Sequence, residues 1–230
     1  MVFGSTHLIK KTEGEGSVKV LRKAFGGTVF CRPLILAVRF RKQMKNFFTT
    51  KRLCRAGVIA ALYVALTYAF GAIAYQGVLE IRPAEALTVL SLFFPEAVPA
   101  LWIGCMLANL GSPTLVYDVP IGGLATLVAS LLTYGAGRLI KNEIARFAVG
   151  GIFPVLINAF VIPCVIILGS GTEGFSSYSA AYWTFFGSLC ATQALWVYGL
   201  GAPLYFTVYR LRKKGVSVFS DEAKEKSDKI

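Results

Sequence analysis

Charge is scarce in this chain. Lysine, arginine, aspartate and glutamate account for 16% of its 230 residues, whereas soluble domains carry about 25%. Hydrophobic residues account for 55%, and the mean hydropathy is +0.62. This composition argues against a soluble globular protein and favours a protein that sits in a membrane.

Residues and motifs of common enzyme classes are also missing. His7 is the single histidine, and neither HExxH nor GxSxG occurs, so the usual signatures of zinc peptidases and serine hydrolases are absent. No GxxxxGK[ST] loop occurs, which excludes ATP binding in the Walker manner. We therefore predict that the chain is not an enzyme and has no cofactor.

The cysteines show no CxxC spacing. Most of them lie within or beside apolar segments, where a free cysteine behaves as a small hydrophobic residue. We predict packing roles for them and no metal site. The five are Cys31, Cys54, Cys105, Cys164 and Cys190.

Long apolar blocks make up most of the chain. Four of them hold about 20 residues or more with almost no charge, enough for a helix to cross a hydrocarbon core of ~30 Å. They cover residues 53–75, 119–140, 147–168 and 180–209. The net charge of +12 comes from basic clusters beside these blocks, which indicates cytoplasmic loops rather than a nucleic-acid surface. The pattern predicts an all-α, multi-pass membrane protein.

A fifth apolar segment, residues 83–110, is interrupted by Pro95, Glu96 and Pro99. Two crossings with a turn at these residues place all the basic clusters on one side of the membrane, whereas one crossing divides them. We therefore predict a bundle of six helices with both termini in the cytoplasm. The predicted helices are roughly 53–75, 83–94, 97–110, 119–138, 147–168 and 180–209.

The two ends of the chain differ from its middle. Residues 1–43 mix glycine with both charges, show no sustained periodicity and lack the features of a secretory signal. The sequence from Met44 reads like the start of a bacterial membrane protein. We expect residues 1–43 to be a non-native or disordered leader, 44–212 a transmembrane substrate-binding domain and 213–230 a charged cytoplasmic tail.

Acidic residues at the start of the second predicted helix are the first candidates for a site. An acid inside a membrane helix usually indicates function, so Glu85 is a candidate ligand contact. A structural role fits it too, because Pro83 suits a first helical turn and a carboxylate there complements the helix dipole. Glu80 is a second candidate. Arg82 is interpreted as an orienting partner for these acids.

Other candidates lie toward the same, outer side. Asn109 and Asp118 flank a predicted outer loop, and for Asp118 we favour the N-cap of the fourth helix over ligand contact. Asn158 fits either a ligand contact or a hydrogen bond to a carbonyl freed by a nearby proline. Tyr182 and Trp183 fit an interfacial aromatic belt or stacking on a planar ligand. Acids, amides and aromatics together suit a small, flat, cationic molecule.

Small residues recur every four positions on the first helix. Gly57, Ala61 and Ala65 form one such row, with Ala56 and Ala60 beside it. Two helices can approach closely at such a row. It therefore predicts either internal packing or a docking face for a partner membrane protein.

Four segments carry a resemblance to a known family. They are AALYVALTYAF (60–70), EIRPAEALTVLSLFFPEAVPALWIGCMLANL (80–110), DVPIGGLATLVASLLTYG (118–135) and PVLINAFVI (154–162). The chain resembles the QueT family of substrate-binding (S) components of energy-coupling-factor (ECF) vitamin transporters over about residues 46–212.

The resemblance implies a plasma-membrane subunit that takes up a queuosine precursor, with 7-aminomethyl-7-deazaguanine as the expected substrate. It implies a transmembrane coupling subunit and two ATPase subunits as partners. Substrate is expected to bind from outside, after which the S component topples in the membrane. Docking is expected through the row containing Ala56, Gly57, Ala60, Ala61 and Ala65. Alternatives are an S component for another vitamin or metabolite, an intramembrane enzyme, or a structural membrane protein.

Overall fold

The computed structural model describes residues 49–75, 80–171 and 174–216. Within these residues every regular element is a helix, which confirms the predicted all-α architecture. The expected leader, residues 1–43, and most of the expected tail lie outside the described residues.

Six helical elements follow one another within the described residues. They are α1 (Thr50–Phe70), which continues as a 3₁₀ turn (Gly71–Tyr75); α2 (Pro83–Leu92), also 3₁₀; α3 (Ala97–Asn109); α4 (Leu115–Leu139, with a π-helical segment at Asp118–Gly122); α5 (Glu143–Ser170); and α6 (Tyr178–Ala194, the π-helical Leu195–Leu200 and Gly201–Lys213).

Three of these helices, α1, α4 and α5, are long and apolar enough to cross a membrane by themselves. The helices α2 and α3 are apolar but short, as the sequence predicted. A 3₁₀ helix such as α2 rises about 2.0 Å per residue and an α-helix such as α3 about 1.5 Å. Each of the two therefore spans roughly 20 Å, less than the hydrocarbon core of about 30 Å. They form a hairpin that depends on the longer helices around it.

The helix α2 is the centre of the bundle, because all ten of its residues are buried. Glycines on its neighbours allow this close packing. A Cβ added at Gly137 of α4 would lie 2.6 Å from the carbonyl oxygen of Leu92, and one at Gly150 of α5 would lie 2.6 Å from its side chain. On α6, a Cβ at Gly201 would lie 2.9 Å from Val89.

Local capping explains where the last two helices begin. The side chain of Asn142 accepts hydrogen bonds from the backbone N–H groups of Ile144 and Ala145 and starts α5. Ser177 accepts one from Ala180 and starts α6. Both residue types are preferred N-caps. Gly171, with φ of +73°, follows the last residue of α5, where such a conformation ends helices and favours glycine.

Arginines from three helices converge on the predicted turn between α2 and α3. Arg55 of α1 forms a 2.6 Å salt bridge with Glu96. Arg212 of α6 donates a 3.1 Å hydrogen bond to the carbonyl oxygen of Phe93. The guanidinium of Arg146 on α5 lies 5.6 Å from the Phe93 ring centre. The basic helix ends thus share one end of the bundle, the arrangement that six crossings predict; its cytoplasmic location stays a prediction.

The outer surface of the bundle is apolar. Large hydrophobic side chains such as Leu131, Ile152, Phe160 and Leu168 are exposed. This surface suits lipid contact, because lipid tails are as apolar as leucine.

Candidate functional site

A cavity opens at the end of the bundle opposite the arginine-rich turn. Its volume is about 50 Å³. The start of α2, the loop between α3 and α4, and the end of α5 supply most of its wall. The lining residues are Tyr75, Glu80, Arg82, Pro113, Thr114, Asp118 and Ile166. Three predicted site residues, Glu80, Arg82 and Asp118, therefore meet here.

Glu80 and Arg82 neutralise each other in the cavity wall. Their side chains form a 2.5 Å salt bridge, and both are buried. Arg82 also donates a 3.1 Å hydrogen bond to the carbonyl oxygen of Ala74. Burial raises the pKa of the Glu80 carboxyl, and the adjacent guanidinium opposes that rise. Burial works against the charge of Arg82, but the Glu80 carboxylate raises its pKa overall, so Arg82 stays protonated.

Asp118 stabilises the loop between α3 and α4 through hydrogen bonds. Its carboxylate accepts hydrogen bonds from the hydroxyls of Ser112 and, at 2.8 Å, Thr114. Our N-cap interpretation of Asp118 is wrong, because the helix begins at Leu115 and the carboxylate binds loop hydroxyls instead of first-turn amides. Asn109 donates to the backbone carbonyl of Asp118 at 2.9 Å. The buried Oδ1 of Asn109 has no hydrogen-bond partner among the described residues.

Glu85 does not line the cavity and lies in the first turn of the fully buried helix α2. Its side chain is 1% exposed, and its Oε1 accepts a 2.7 Å hydrogen bond from the hydroxyl of Tyr63 on α1. The amide of Asn158 on α5 is close enough to interact with the same carboxylate. Oε2 of Glu85 has no partner with hydrogen-bond geometry in the described part of the chain. Three helices thus present one carboxylate oxygen that is buried and unused.

Arg82 pairs with Glu80 and not with Glu85, so the two acids differ in charge balance. The sequence left open whether Arg82 pairs with Glu85, three residues later. In the structure its salt bridge goes to Glu80, and Glu85 forms no salt bridge within the described residues. The carboxylate of Glu85 reaches across to α1, so it does not cap its own helix.

Tyr182 and Trp183 are not brought to the cavity. Trp183 is 60% exposed, and the hydroxyl of Tyr182 donates a 3.1 Å hydrogen bond to the carbonyl oxygen of Phe160. Both rings pack with Phe186 on the outside of α5 and α6. This position fits the interfacial-belt interpretation, in which amphipathic rings sit at headgroup level. The aromatic ring in the cavity wall is that of Tyr75.

Tyr63 and Tyr75 belong to the site but were not among the residues predicted for it. A signal for Tyr63 was present, because Ile59, Tyr63 and Thr67 recur every four residues and are the buried residues of α1. Their helix face lies away from the row of Gly57, Ala61 and Ala65. For Tyr75, at the end of a 3₁₀ turn, no sequence pattern indicated a place in the wall.

The five predicted docking residues divide between two environments. Ala56 and Ala60 pack against the core, and a Cβ added at Gly104 of α3 would lie 3.2 Å from the Ala60 carbonyl oxygen. These two therefore serve internal packing. Gly57, Ala61 and Ala65 are exposed, and an added Cβ at Gly57 would meet nothing within 4 Å. Docking through this row stays a prediction.

Metal binding has no support in the described part of the chain, where no group of three or more His, Cys, Asp or Glu side chains is placed to hold an ion.

Comparison with known proteins gives two matches. The sequence profile of a family described as "QueT transporter" matches residues 53–210. A curated protein, "Queuosine precursor transporter QueT" from Lactococcus lactis subsp. cremoris (strain MG1363), is 45% identical over 73 residues. That alignment covers 31% of this chain and 42% of the relative, so it spans less than half of the relative's length. No solved structure matches the chain.

Proposed function

Because the chain belongs to the QueT transporter family, we propose that it captures a queuosine precursor, 7-aminomethyl-7-deazaguanine, for import across the plasma membrane. It is a multi-pass membrane protein of a transporter family and not an enzyme. The relative's name supplies the class of substrate. The observation that carries the proposal is the buried Glu85 carboxylate with its unused Oε2.

Glu85 is the acid best suited to receive the aminomethyl group, which is protonated at neutral pH. The charge of Glu80 is already balanced by Arg82, and Asp118 is engaged by two loop hydroxyls. Glu85 has no basic partner among the described side chains. An ammonium group at Oε2 forms a charge-assisted hydrogen bond, which is about twice as strong as a neutral one.

The purine-like ring also finds complementary groups. Oδ1 of Asn109 is a buried acceptor that no described residue hydrogen-bonds, and it is suited to an N–H group on the ring edge. Tyr75 offers an aromatic face in the cavity wall, where we had expected Tyr182 or Trp183. A planar ligand with a donor-rich edge and one positive charge uses all of these groups.

We further propose that import requires partners, namely a transmembrane coupling subunit and two ATPase subunits of an ECF module. The sequence lacks a Walker ATP-binding loop, so import driven by ATP needs the ATPase of another chain. The exposed row of Gly57, Ala61 and Ala65 supports docking on a partner helix, since small residues permit close approach within a membrane.

Equilibrium binding by the full chain in detergent tests the substrate. Isothermal titration would compare 7-aminomethyl-7-deazaguanine with guanine, riboflavin and folate. We expect selective binding of the aminomethyl compound without ATP. Failure to bind it, or preference for riboflavin or folate, would overturn the substrate assignment and leave the six-helix fold untouched.

A further inference from the structure

One side chain connects α1 to the centre of the candidate site. Tyr63 is 1% exposed, and its hydroxyl donates to Oε1 of Glu85 at 2.7 Å. The rest of the helix is peripheral, since 17% of its most apolar window is buried. The position of Tyr63 so deep in the bundle therefore calls for an explanation beyond packing, because a phenylalanine fills the same volume.

The hydrogen bond fixes how the Glu85 carboxylate is turned. Thr88 bonds the backbone carbonyl of Glu85 at 2.6 Å, so the backbone is held from within α2. The last torsion of a glutamate side chain is broad and nearly two-fold, so the carboxylate needs an outside partner to select one orientation. Tyr63 holds one oxygen and leaves Oε2 without a partner among the described residues.

We propose that Tyr63 is a positioning residue that sets the preference for a ligand carrying an ammonium group, an inference that rests on the proposed function. By holding Oε1, Tyr63 aims Oε2 at the aminomethyl group of the ligand. Without the hydroxyl, the nearby Asn158 amide is left beside the carboxylate, whose orientation is then less well fixed. Binding of the ammonium group must then also supply the ordering of the carboxylate. The ring of the ligand does not depend on this contact.

A pair of ligands separates positioning from general structure. The full chain is titrated with 7-aminomethyl-7-deazaguanine and with 7-deazaguanine, which lacks the aminomethyl group. We expect Tyr63→Phe to weaken binding of the first by about tenfold, the lower end for a hydrogen bond to a charged group. Binding of the second should change less than about twofold.

A double-mutant cycle assigns the effect to the hydrogen bond with Glu85. In a Glu85→Gln background, Tyr63→Phe should cause little further loss of affinity for the aminomethyl compound. Tyr68→Phe is the matched control, since Tyr68 is an exposed tyrosine of the same helix whose hydroxyl is 3.5 Å from the Leu107 carbonyl oxygen. It should leave both affinities unchanged.

The outcomes separate this inference from the proposed function. If the wild-type chain prefers the aminomethyl compound and Tyr63→Phe keeps that preference, the positioning role is overturned and the proposed function stands. Equal losses for both ligands would mean that Tyr63 acts only on the structure, which also overturns it. If the wild-type chain binds neither ligand, the substrate assignment fails and the inference falls with it. Loss confined to the aminomethyl compound supports both.

Discussion

At the scale of single residues, the site contains three buried acids in different electrostatic situations. Glu80 is paired with Arg82, Asp118 is held by loop hydroxyls, and Glu85 is held by a tyrosine and lies near an amide. A carboxylate without a cation is unfavourable in a low-dielectric interior. Under the proposed function, a cationic ligand next to Glu85 would remove that cost and stabilise the carboxylate.

Glu85→Gln should therefore weaken binding of 7-aminomethyl-7-deazaguanine by about 1.5–3 kcal/mol, the range for hydrogen bonds to charged groups. The amide keeps the shape of the side chain and removes the charge, so the fold is expected to persist. Isothermal titration measures the change. Glu143→Gln, the same substitution at the far end of the bundle, where Glu143 bonds Tyr209, should leave affinity unchanged. Equal affinity for wild type and Glu85→Gln would return Glu85 to a structural role.

Arg82 should matter for stability as well as for the cavity. Arg82→Met leaves the Glu80 carboxylate buried without its cation, and breaking a buried ion pair costs about 3–5 kcal/mol. We expect a clear drop in the melting temperature of the detergent-solubilised chain. The double variant Glu80→Gln/Arg82→Met should recover part of the loss, because the orphaned charge is gone. A double variant no more stable than Arg82→Met would contradict this account.

At the scale of helices, α1 presents two different faces made of similar residues. Ala60 faces α3 where Gly104 permits close approach, and Ala61 faces outward. Ala60→Leu should destabilise the chain by about 1–3 kcal/mol through overpacking.

Ala61→Leu should preserve the melting temperature and ligand binding but block uptake in cells that supply the partner subunits. The two adjacent variants are controls for each other, and loss of binding in Ala61→Leu would assign that face to internal packing.

The positions of the helices along the chain could be predicted from the sequence, but the face that each helix turns toward the core could not. Apolar length, prolines and basic clusters specified six helices and the turn at Glu96, because each reflects the thickness and charge asymmetry of a membrane. Rotation is harder to read, since lipid-facing and core-facing sides are both apolar. For that reason the sequence left open whether Trp183 stacks on a ligand or belongs to an interfacial belt, and the contact between Tyr63 and Glu85 was missed. The sequence likewise did not show whether Arg82 pairs with Glu80 or with Glu85, because that depends on three-dimensional geometry.

At the scale of the whole molecule, the two ends of the bundle differ in chemistry. One end gathers Arg55, Arg146 and Arg212 around the turn at Phe93 and Glu96. The other end holds the cavity, with Glu80, Arg82 and Asp118 in its wall. The helix α2 lies between the two ends, and all ten of its residues are buried. The described bundle is therefore filled by this helix along its centre.

This filled bundle predicts how the purified chain should behave in liposomes. Alone, it should bind radiolabelled 7-aminomethyl-7-deazaguanine without accumulating it in the lumen, since the sequence has no Walker loop to supply energy. Reconstitution with an ECF coupling subunit, its two ATPases and ATP should produce accumulation above the external concentration. Omitting ATP from the complete complex is the control, because binding persists while accumulation stops. Accumulation by the chain alone, driven by an imposed ion gradient, would mean that it is a self-sufficient secondary transporter and would overturn the proposed dependence on an ATP-driven module.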